Sequence, residues 1–565
     1  MQSPKRIWLS LVLLTITWAW NATAAQAPKV ANHIPKNAVY VLFLSNPAEA
    51  LTNLETILKP FTALSPELDL AKQGEKLKAE LGVNILSPKG LDDLGLDSSG
   101  TSAFYEVVGF SEQVIALELK DPNLFKTKML ALMKQKADKF NPKPKKKRGT
   151  EIFEVDGGYI GIKGSWCVIQ PEPAKRGPKD GPLLAFFKKG KKLSSSVVFK
   201  RAWSQMPEGN QAVYYMDMKL LANKLDAEML RMTNDFAKMA PAKERKQIKK
   251  RFKQSRNDQR KIFKLINFIE SISFGWSIEP KSISQATLLT ASPKGLKVLK
   301  KLVAAQSDVP AFHQGLIETA IAGGWTSANI SKIVKHFGPT PIYPGFTFKH
   351  AWDREEKSFK EETQIDITRD LLANLKGPAA AYLLNPGKVK ADPTNNLPVQ
   401  IFKMMRIAIV AQVADPAKMS SVVKLFNQFV QKQENPIETK TVSSAEVTVF
   451  RPETGVELAW GIKGNTAFFT FGENTAQALV KILPDQPWAK QVASGQLASG
   501  QMDFAALTEA ISSAVSQGIG GQQASQFRMV VWPMVQQVLS KIEKISFSSE
   551  MKQKGLTLTG KITLH

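Results

Sequence analysis

Apolar positions along this chain alternate between a period of two and a period near four. The switches between the two periods occur in one order and then recur in that order. Ala38 to Leu44 is a short run rich in Val, Tyr and Leu, which predicts a strand. Phe104 to Val108 and Val114 to Leu119 read as a hairpin pair separated by polar residues. Asp121-Pro122 then opens a helix, because Asp caps free backbone N–H groups and Pro suits the first turn. Its apolar stripe is Leu124, Phe125, Met129, Leu132 and Met133. Three short strands follow, Glu151 to Val155, Tyr159 to Lys163 and Trp166 to Gln170, with Asp156-Gly157-Gly158 and Lys163-Gly164 as tight turns. Ala212 to Met216 precedes helical segments. Ile269 to Glu279 and Ser282 to Thr290 close the stretch around Pro280-Lys281.

Four segments of this first half reappear later in the same order. Gly161-Ile162-Lys163-Gly164 recurs as Gly461-Ile462-Lys463-Gly464, and the helix start at Asp121-Pro122 recurs at Asp415-Pro416. Ile269-Glu270-Ser271-Ile272-Ser273-Phe274 recurs as Ile542-Glu543-Lys544-Ile545-Ser546-Phe547. Trp203 before a strand ending at Asp217 matches Trp488 before one ending at Asp503. Ordered matches of this kind predict an internal duplication. Consecutive hairpins imply antiparallel pairing, so the expected class is α+β: two tandem related halves, each an antiparallel sheet with helices on one face. The expected organisation is residues 1–24 as a signal peptide, 31–290 as a first, strongly basic repeat, 291–319 as a helical linker and 320–565 as a second repeat. A chain of 565 residues is too long for one ordinary core.

The N-terminus reads as a secretory signal. Lys5 and Arg6 precede an uncharged apolar run from Ile7 to Trp20, and Ala22-Thr23-Ala24 supplies small residues for cleavage. That run is short for a bilayer, which takes about 20 residues. Directly after it comes Ile34-Pro35-Lys36-Asn37-Ala38-Val39-Tyr40-Val41. Together with the Asp-Pro helix start and the paired closing strands, this resembles a bacterial family of exported proteins known only as a domain of unknown function. The resemblance spans most of the mature chain and implies an extracytoplasmic α+β protein. It implies no catalytic residue.

Signatures of catalysis are missing. The five histidines, His33, His313, His336, His350 and His565, form no zinc helix and have no Cys at ligand spacing. The sequence has no nucleophile elbow, phosphate loop, dinucleotide fingerprint or calcium loop, so no cofactor or metal is implied. Asp217 and Asp503 occupy matching positions and are expected to cap the helices after their strands. Distant carboxylates can still meet in a fold, which keeps a carboxylate-dependent hydrolase as an alternative. Cys167 aligns with Ala467, which favours a buried position over a redox role.

Charge changes this picture most. Net charge is +26, of which residues 1–300 carry +21 and residues 301–565 carry +5. Lys143, Lys145, Lys146, Lys147 and Arg148 fall in a Pro-containing loop, and Lys188, Lys189, Lys191 and Lys192 flank Gly190. A third cluster is helical and runs from Lys243 to Lys264, with Lys249, Lys250, Arg251 and Lys253 at its centre. Its apolar residues Ile248, Phe252, Ile262 and Ile266 predict one narrow inward face. The corresponding stretch of the second half, Ser516 to Gln537, has only Arg528 as a charge and is expected to be buried.

The expected function is a non-catalytic binding or scaffolding protein outside the cytoplasm. It would contact an anionic envelope component or an acidic protein through Lys145, Lys146, Lys147, Arg148, Lys249, Lys250, Arg251 and Lys253. Peripheral membrane contact fits this pattern, and nucleic acid does not fit an exported chain. A lipid or lipoprotein carrier with an apolar cavity is a further alternative. Sequencing of the exported protein should give an N-terminus near Ala25. Material that still begins at Met1 and extracts with membranes would show an anchor instead.

Overall fold

The structure is a computed structural model that describes residues 27–62, 68–108, 113–136, 143–156, 158–172, 178–302, 320–327, 332–333, 336, 341–343, 346–385, 405–433, 436–453, 455–483, 496–516, 529 and 532–565. The expected signal peptide and the expected cleavage site near Ala25 lie outside the described residues. The chain divides into two compact units, residues 1–295 and 296–565. Both are α+β, with helices packed on antiparallel sheet.

The first unit contains strands β1 (Ala38–Ser45), β2 (Thr101–Val107), β3 (Gln113–Glu118), β4 (Lys145–Lys147), β5 (Thr150–Val155), β6 (Gly158–Lys163), β7 (Trp166–Gln170), β8 (Ala212–Asp217), β9 (Ile269–Glu279) and β10 (Ser282–Ala291). Every pairing among them is antiparallel, and the order across the sheet is β10-β9-β8-β1-β2-β3-β7-β6-β5-β4. Eight α-helices accompany them among the described residues: α1 (Pro47–Leu58), α2 (Leu70–Leu81), α3 (Pro88–Asp93), α4 (Pro122–Lys136), α5 (Gly181–Phe187), α6 (Val197–Trp203), α7 (Met218–Met239) and α8 (Ala242–Leu265). A further helix, Pro293–Leu302, opens the segment expected to link the halves, and residues 303–319 of that segment lie outside the described residues.

The second unit contains β11 (Ala320–Thr326), a small pair β12 (Pro341–Tyr343) and β13 (Phe346–Thr347), and then β14 (Leu375–Leu384), β15 (Arg406–Val413), β16 (Ile437–Val442), β17 (Ala445–Glu453), β18 (Val456–Lys463), β19 (Thr466–Phe471), β20 (Gln496–Asp503), β21 (Ile542–Lys552) and β22 (Gly555–Leu564). Its antiparallel order is β22-β21-β20-β11-β14-β15-β19-β18-β17-β16. The Gly-Ile-Lys-Gly segments therefore close β6–β7 in one unit and β18–β19 in the other, and both hairpins occupy the same place in their strand order. Gly164 and Gly464 adopt φ of 56° and 53°, the left-handed turn conformation that glycine takes without a Cβ clash. Within these hairpins Cys167 pairs with Ile162, and Ala467 pairs with Ile462.

The sheet of the first unit departs from expectation: helices cover both of its faces. Val41, Phe43, Tyr105, Val168, Val213 and Tyr215 face a cluster built with Phe186 of α5 and Phe199 of α6. On the opposite face Leu44, Ile115, Phe153, Ile160 and Cys167 meet Leu51, Leu91 and Phe125 of α1, α3 and α4. The physical reason is visible in β7, where all five residues are buried; a strand wet on one face alternates instead. The second unit repeats the arrangement. Ala408, Val410 and Phe468 pack with Leu479 on one side, and Val413 packs with Met419 and Val422 on the other.

Lys145 to Lys147 also differ from the expected loop, since they form the edge strand β4 paired to β5. Arg148 and Gly149, at φ of 54° and 75°, make the two-residue left-handed turn between those strands. In the second unit, much of the apolar stretch from Ser516 lies outside the described residues. Of the rest, Trp532 is buried, whereas Met529 is 73% exposed.

Cys167 is fully buried, and burial pushes its thiol pKa well above the usual range. The native protein should leave a chromogenic disulfide reagent unreacted until denaturant is added. One thiol titrating at the rate of an exposed cysteine would contradict this placement.

Candidate functional site

Helices α7 and α8 form an antiparallel hairpin rooted on the sheet. Asp217, the last residue of β8, caps α7 by accepting a hydrogen bond from the backbone N–H of Leu220 (2.9 Å). Burial raises the Asp217 pKa, against the lowering effect of these cap bonds. Pro241 ends the connection and starts α8, as proline suits a helix entrance. At about 1.5 Å per residue, 22 residues make α7 about 33 Å long. A buried polar knot ties its first turns down. Glu106 of β2 is buried, accepts from the Tyr40 hydroxyl (2.6 Å) and pairs with Lys224 (2.5 Å). Burial, and then the bond to Glu106, push the Tyr40 phenol pKa up.

The helices are clamped to each other two residues further along α7. Asp226 of α7 accepts two bonds from Arg256 (2.6 Å each) and two from Arg260 (2.8 and 3.0 Å). Arg256 and then Arg260 hold the Asp226 carboxyl far below the usual carboxylate range. Ile248 and Phe252 beyond this clamp, and Phe263 and Ile266 on its sheet side, are half-buried along the inner stripe of α8 and its C-cap. Ile262, expected on that stripe, is exposed, and its neighbour Phe263 takes the inward position. Phe236 of α7 stacks on Phe252 at 5.6 Å between ring centroids.

This clamp divides the cations of α8 into two groups. Arg256 and Arg260 are held by Asp226, and Lys261 is held by Asp258. Lys243, Lys246, Lys249, Lys250, Arg251 and Lys253 are exposed and make no ion pair among the described residues. The Phe236–Phe252 stack places α7's exposed apolar residues at the same level. Met232, Phe236 and Met239 are 45%, 45% and 74% exposed, and their spacing of four and three puts them on one helical face. Sequence reading had not singled out that stripe, although the spacing was there to be read in α7. The hairpin end thus carries unpaired positive charge beside bare apolar surface.

The other basic segments are built differently. Lys147 pairs with Asp180 (2.5 Å) and Lys145 with Glu154 (3.4 Å), while the Arg148 carbonyl accepts from Lys163 (2.8 Å). Beside them is a cavity of about 300 Å³ whose lining includes Lys143, Lys179 and Tyr159 as well as both carboxylates. The structure does not bring this cluster to the hairpin. Strand β4 lies six strands from β1, about 29 Å at the usual strand spacing of about 4.8 Å. Lys192 is a structural group, its ammonium donating to the carbonyls of His33 (2.7 Å), Ala185 (3.2 Å) and Phe186 (2.9 Å).

Catalytic groupings do not emerge among the described residues. No group of three or more His, Cys, Asp or Glu is placed to hold a metal ion there. Asp503 caps its helix through the Ala506 N–H (2.9 Å), as Asp217 caps α7. No described helix is long and apolar enough to cross a membrane.

No protein-family model matches the chain, and neither does any curated protein. The chain is distantly similar to the solved structure of TP0453 in crystal form III, at 10% identity and a TM-score of 0.23 over 50% of this chain and 88% of that one. Crystal form I of TP0453 gives 11% identity and the same TM-score over 49% and 86%. Superposition at this level carries no argument about fold or function.

Asp226→Asn should loosen the hairpin by about 1 kcal/mol, the scale of a well-formed partly exposed ion pair. The native Asp226 pKa lies below its unfolded value of about 3.9, so the clamp contributes fully above that pH and is lost as pH falls through the lower native value. Amide exchange in α8 that is the same in wild type and variant at neutral pH would contradict the clamp.

Proposed function

We propose that this protein is exported and non-catalytic, and that the distal end of the α7–α8 hairpin attaches it peripherally to an anionic lipid surface of the cell envelope. The observation that carries this reading is the meeting of six unpaired cations with the exposed Met232, Phe236 and Met239 at one level of the hairpin. A cationic helix with an adjoining apolar stripe is the pattern that lies in a membrane interface. Near an acidic leaflet each Lys or Arg contributes about 1 kcal/mol, falling off within a Debye length of about 8 Å at physiological salt. Several such charges on one helix give useful affinity, and the apolar stripe adds a contribution that salt does not screen. An acidic protein is the competing partner, and an insertion measurement separates the two.

The two units are read as products of one duplicated ancestor. Their common strand order, and the equivalent positions of Cys167 and Ala467 in matched hairpins, support this. The duplication then diverged at the surface, since the charge lies mainly in the first unit.

Replacing Lys249, Lys250, Arg251 and Lys253 together with Gln should leave the melting temperature nearly unchanged, because all four are exposed and unpaired. Co-sedimentation with phosphatidylglycerol vesicles should weaken at least tenfold, and its salt dependence should flatten. Full binding by a folded variant at low salt would return this helix to the role of a solubilising surface. A second variant, with Met232 and Met239 replaced by Ser, should keep the salt dependence but bind less at high salt.

A further inference from the structure

A second feature lies at the opposite, rooted end of the hairpin. There the C-terminal turn of α8, the first turns of α7 and the entrance of α6 surround a groove of about 900 Å³. It lies wholly within the first unit. That volume is at the upper end of the usual range for small-ligand sites, about 300–1,000 Å³. Val198, Met218, Phe263, Ile266 and Ile269 belong to an apolar wall that provides about half of the lining residues. Val197, at the rim, is 66% exposed, an unusual degree for a valine beside a core.

The charged residues of the groove are arranged unequally. Its two carboxylates are already engaged: Asp217 caps α7, and Glu270 is paired with Arg201. Its cations are Lys36, Lys191 and Lys219. Lys36 and Lys191 are exposed and make no ion pair among the described residues. The Lys36 N–H donates to the Lys191 carbonyl (3.1 Å), so their side chains spring from adjacent points of the rim. The apolar wall of the groove therefore shares its lining with a pair of uncompensated ammonium groups.

We infer that this groove binds a long-chain fatty acid, its alkyl chain along Phe263, Ile266 and Ile269 and its carboxylate between Lys36 and Lys191. Charge complementarity selects this occupant. A neutral lipid would leave the two ammonium groups unanswered, and a zwitterionic head would bring a cation to carboxylates that are already satisfied. Burial of the chain provides affinity that grows with each methylene, and the lysines fix its direction. None of the distal cations lines the groove, so this inference stands apart from the proposed membrane contact.

The test uses the intact mature protein and cis-parinaric acid, whose fluorescence rises in an apolar site, below its micellar concentration and without vesicles. The expected result is saturable binding at one site per chain. Ala222→Trp, which fills the groove from α7, should reduce affinity at least tenfold. Lys36→Gln with Lys191→Gln should reduce it several-fold for the acid, while the methyl ester should bind wild type and this variant equally weakly. Val197→Glu alters an exposed rim position, so it keeps the test informative if Ala222→Trp fails to fold, and it should also weaken the acid. No saturable binding, or binding unchanged in both Val197→Glu and the double Gln variant, would overturn the inference. The Lys249-Lys250-Arg251-Lys253 variant should bind the fatty acid as wild type does, so loss of vesicle binding there and loss of fatty acid here are separate failures.

Discussion

The hairpin is held on the sheet by a carboxylate that the fold has taken out of water. Glu106 lies buried in β2, and alone it would be a costly charge. The Tyr40 hydroxyl and the Lys224 ammonium satisfy it, and Lys224 belongs to α7. Removal of one partner from a buried pair usually costs about 3–5 kcal/mol, because the other charge is stranded. The first turns of α7 are therefore fixed to the sheet by chemistry that cannot be satisfied elsewhere. That leaves the far end of a helix about 33 Å long free of any need to pack on the sheet. The rooted groove and the distal charged end both depend on this one attachment.

A single acid, Asp226, then sorts the cations of α8. It takes Arg256 and Arg260 and leaves the charges beyond them unpaired. Isolated Lys and Arg on a surface help to keep a protein soluble, and solubility alone would explain a cationic helix. It would not explain Met239 at 74% exposure beside them. Bare apolar surface works against solubility, so its presence among unpaired cations favours an interface between water and lipid.

Much of the fold was legible because it is written locally. The hairpin at Lys163-Gly164, the cap at Asp217 and the closing strands β9 and β10 each have a sequence signal within a few residues of the contact they make. What was misread has a different character. Two-sided coverage of the sheet was signalled by the unbroken apolar run Trp166 to Gln170, but consecutive hairpins suggested one wet face. The site was half legible. The cations of α8 stood out by composition, whereas their pairing did not, since Asp226 is 30 residues from Arg256. Lys145 to Arg148 looked equivalent in charge, yet β4 sets them at the far edge of the sheet with carboxylates beside them. The groove gave no signal at all, because its wall is gathered from positions between Lys36 and Ser292.

A probe at Met239 reads most directly whether the distal end of the hairpin meets lipid. Met239→Cys can be labelled selectively with an environment-sensitive fluorophore, because Cys167 is buried and its thiol is held protonated. With phosphatidylglycerol vesicles at low salt the label at position 239 should shift to the blue and become shielded from an aqueous quencher. With phosphatidylcholine vesicles it should do neither. A label at position 239 that stays fully quenchable while the protein is bound to anionic vesicles would contradict the account, since the protein would then be attached by another surface.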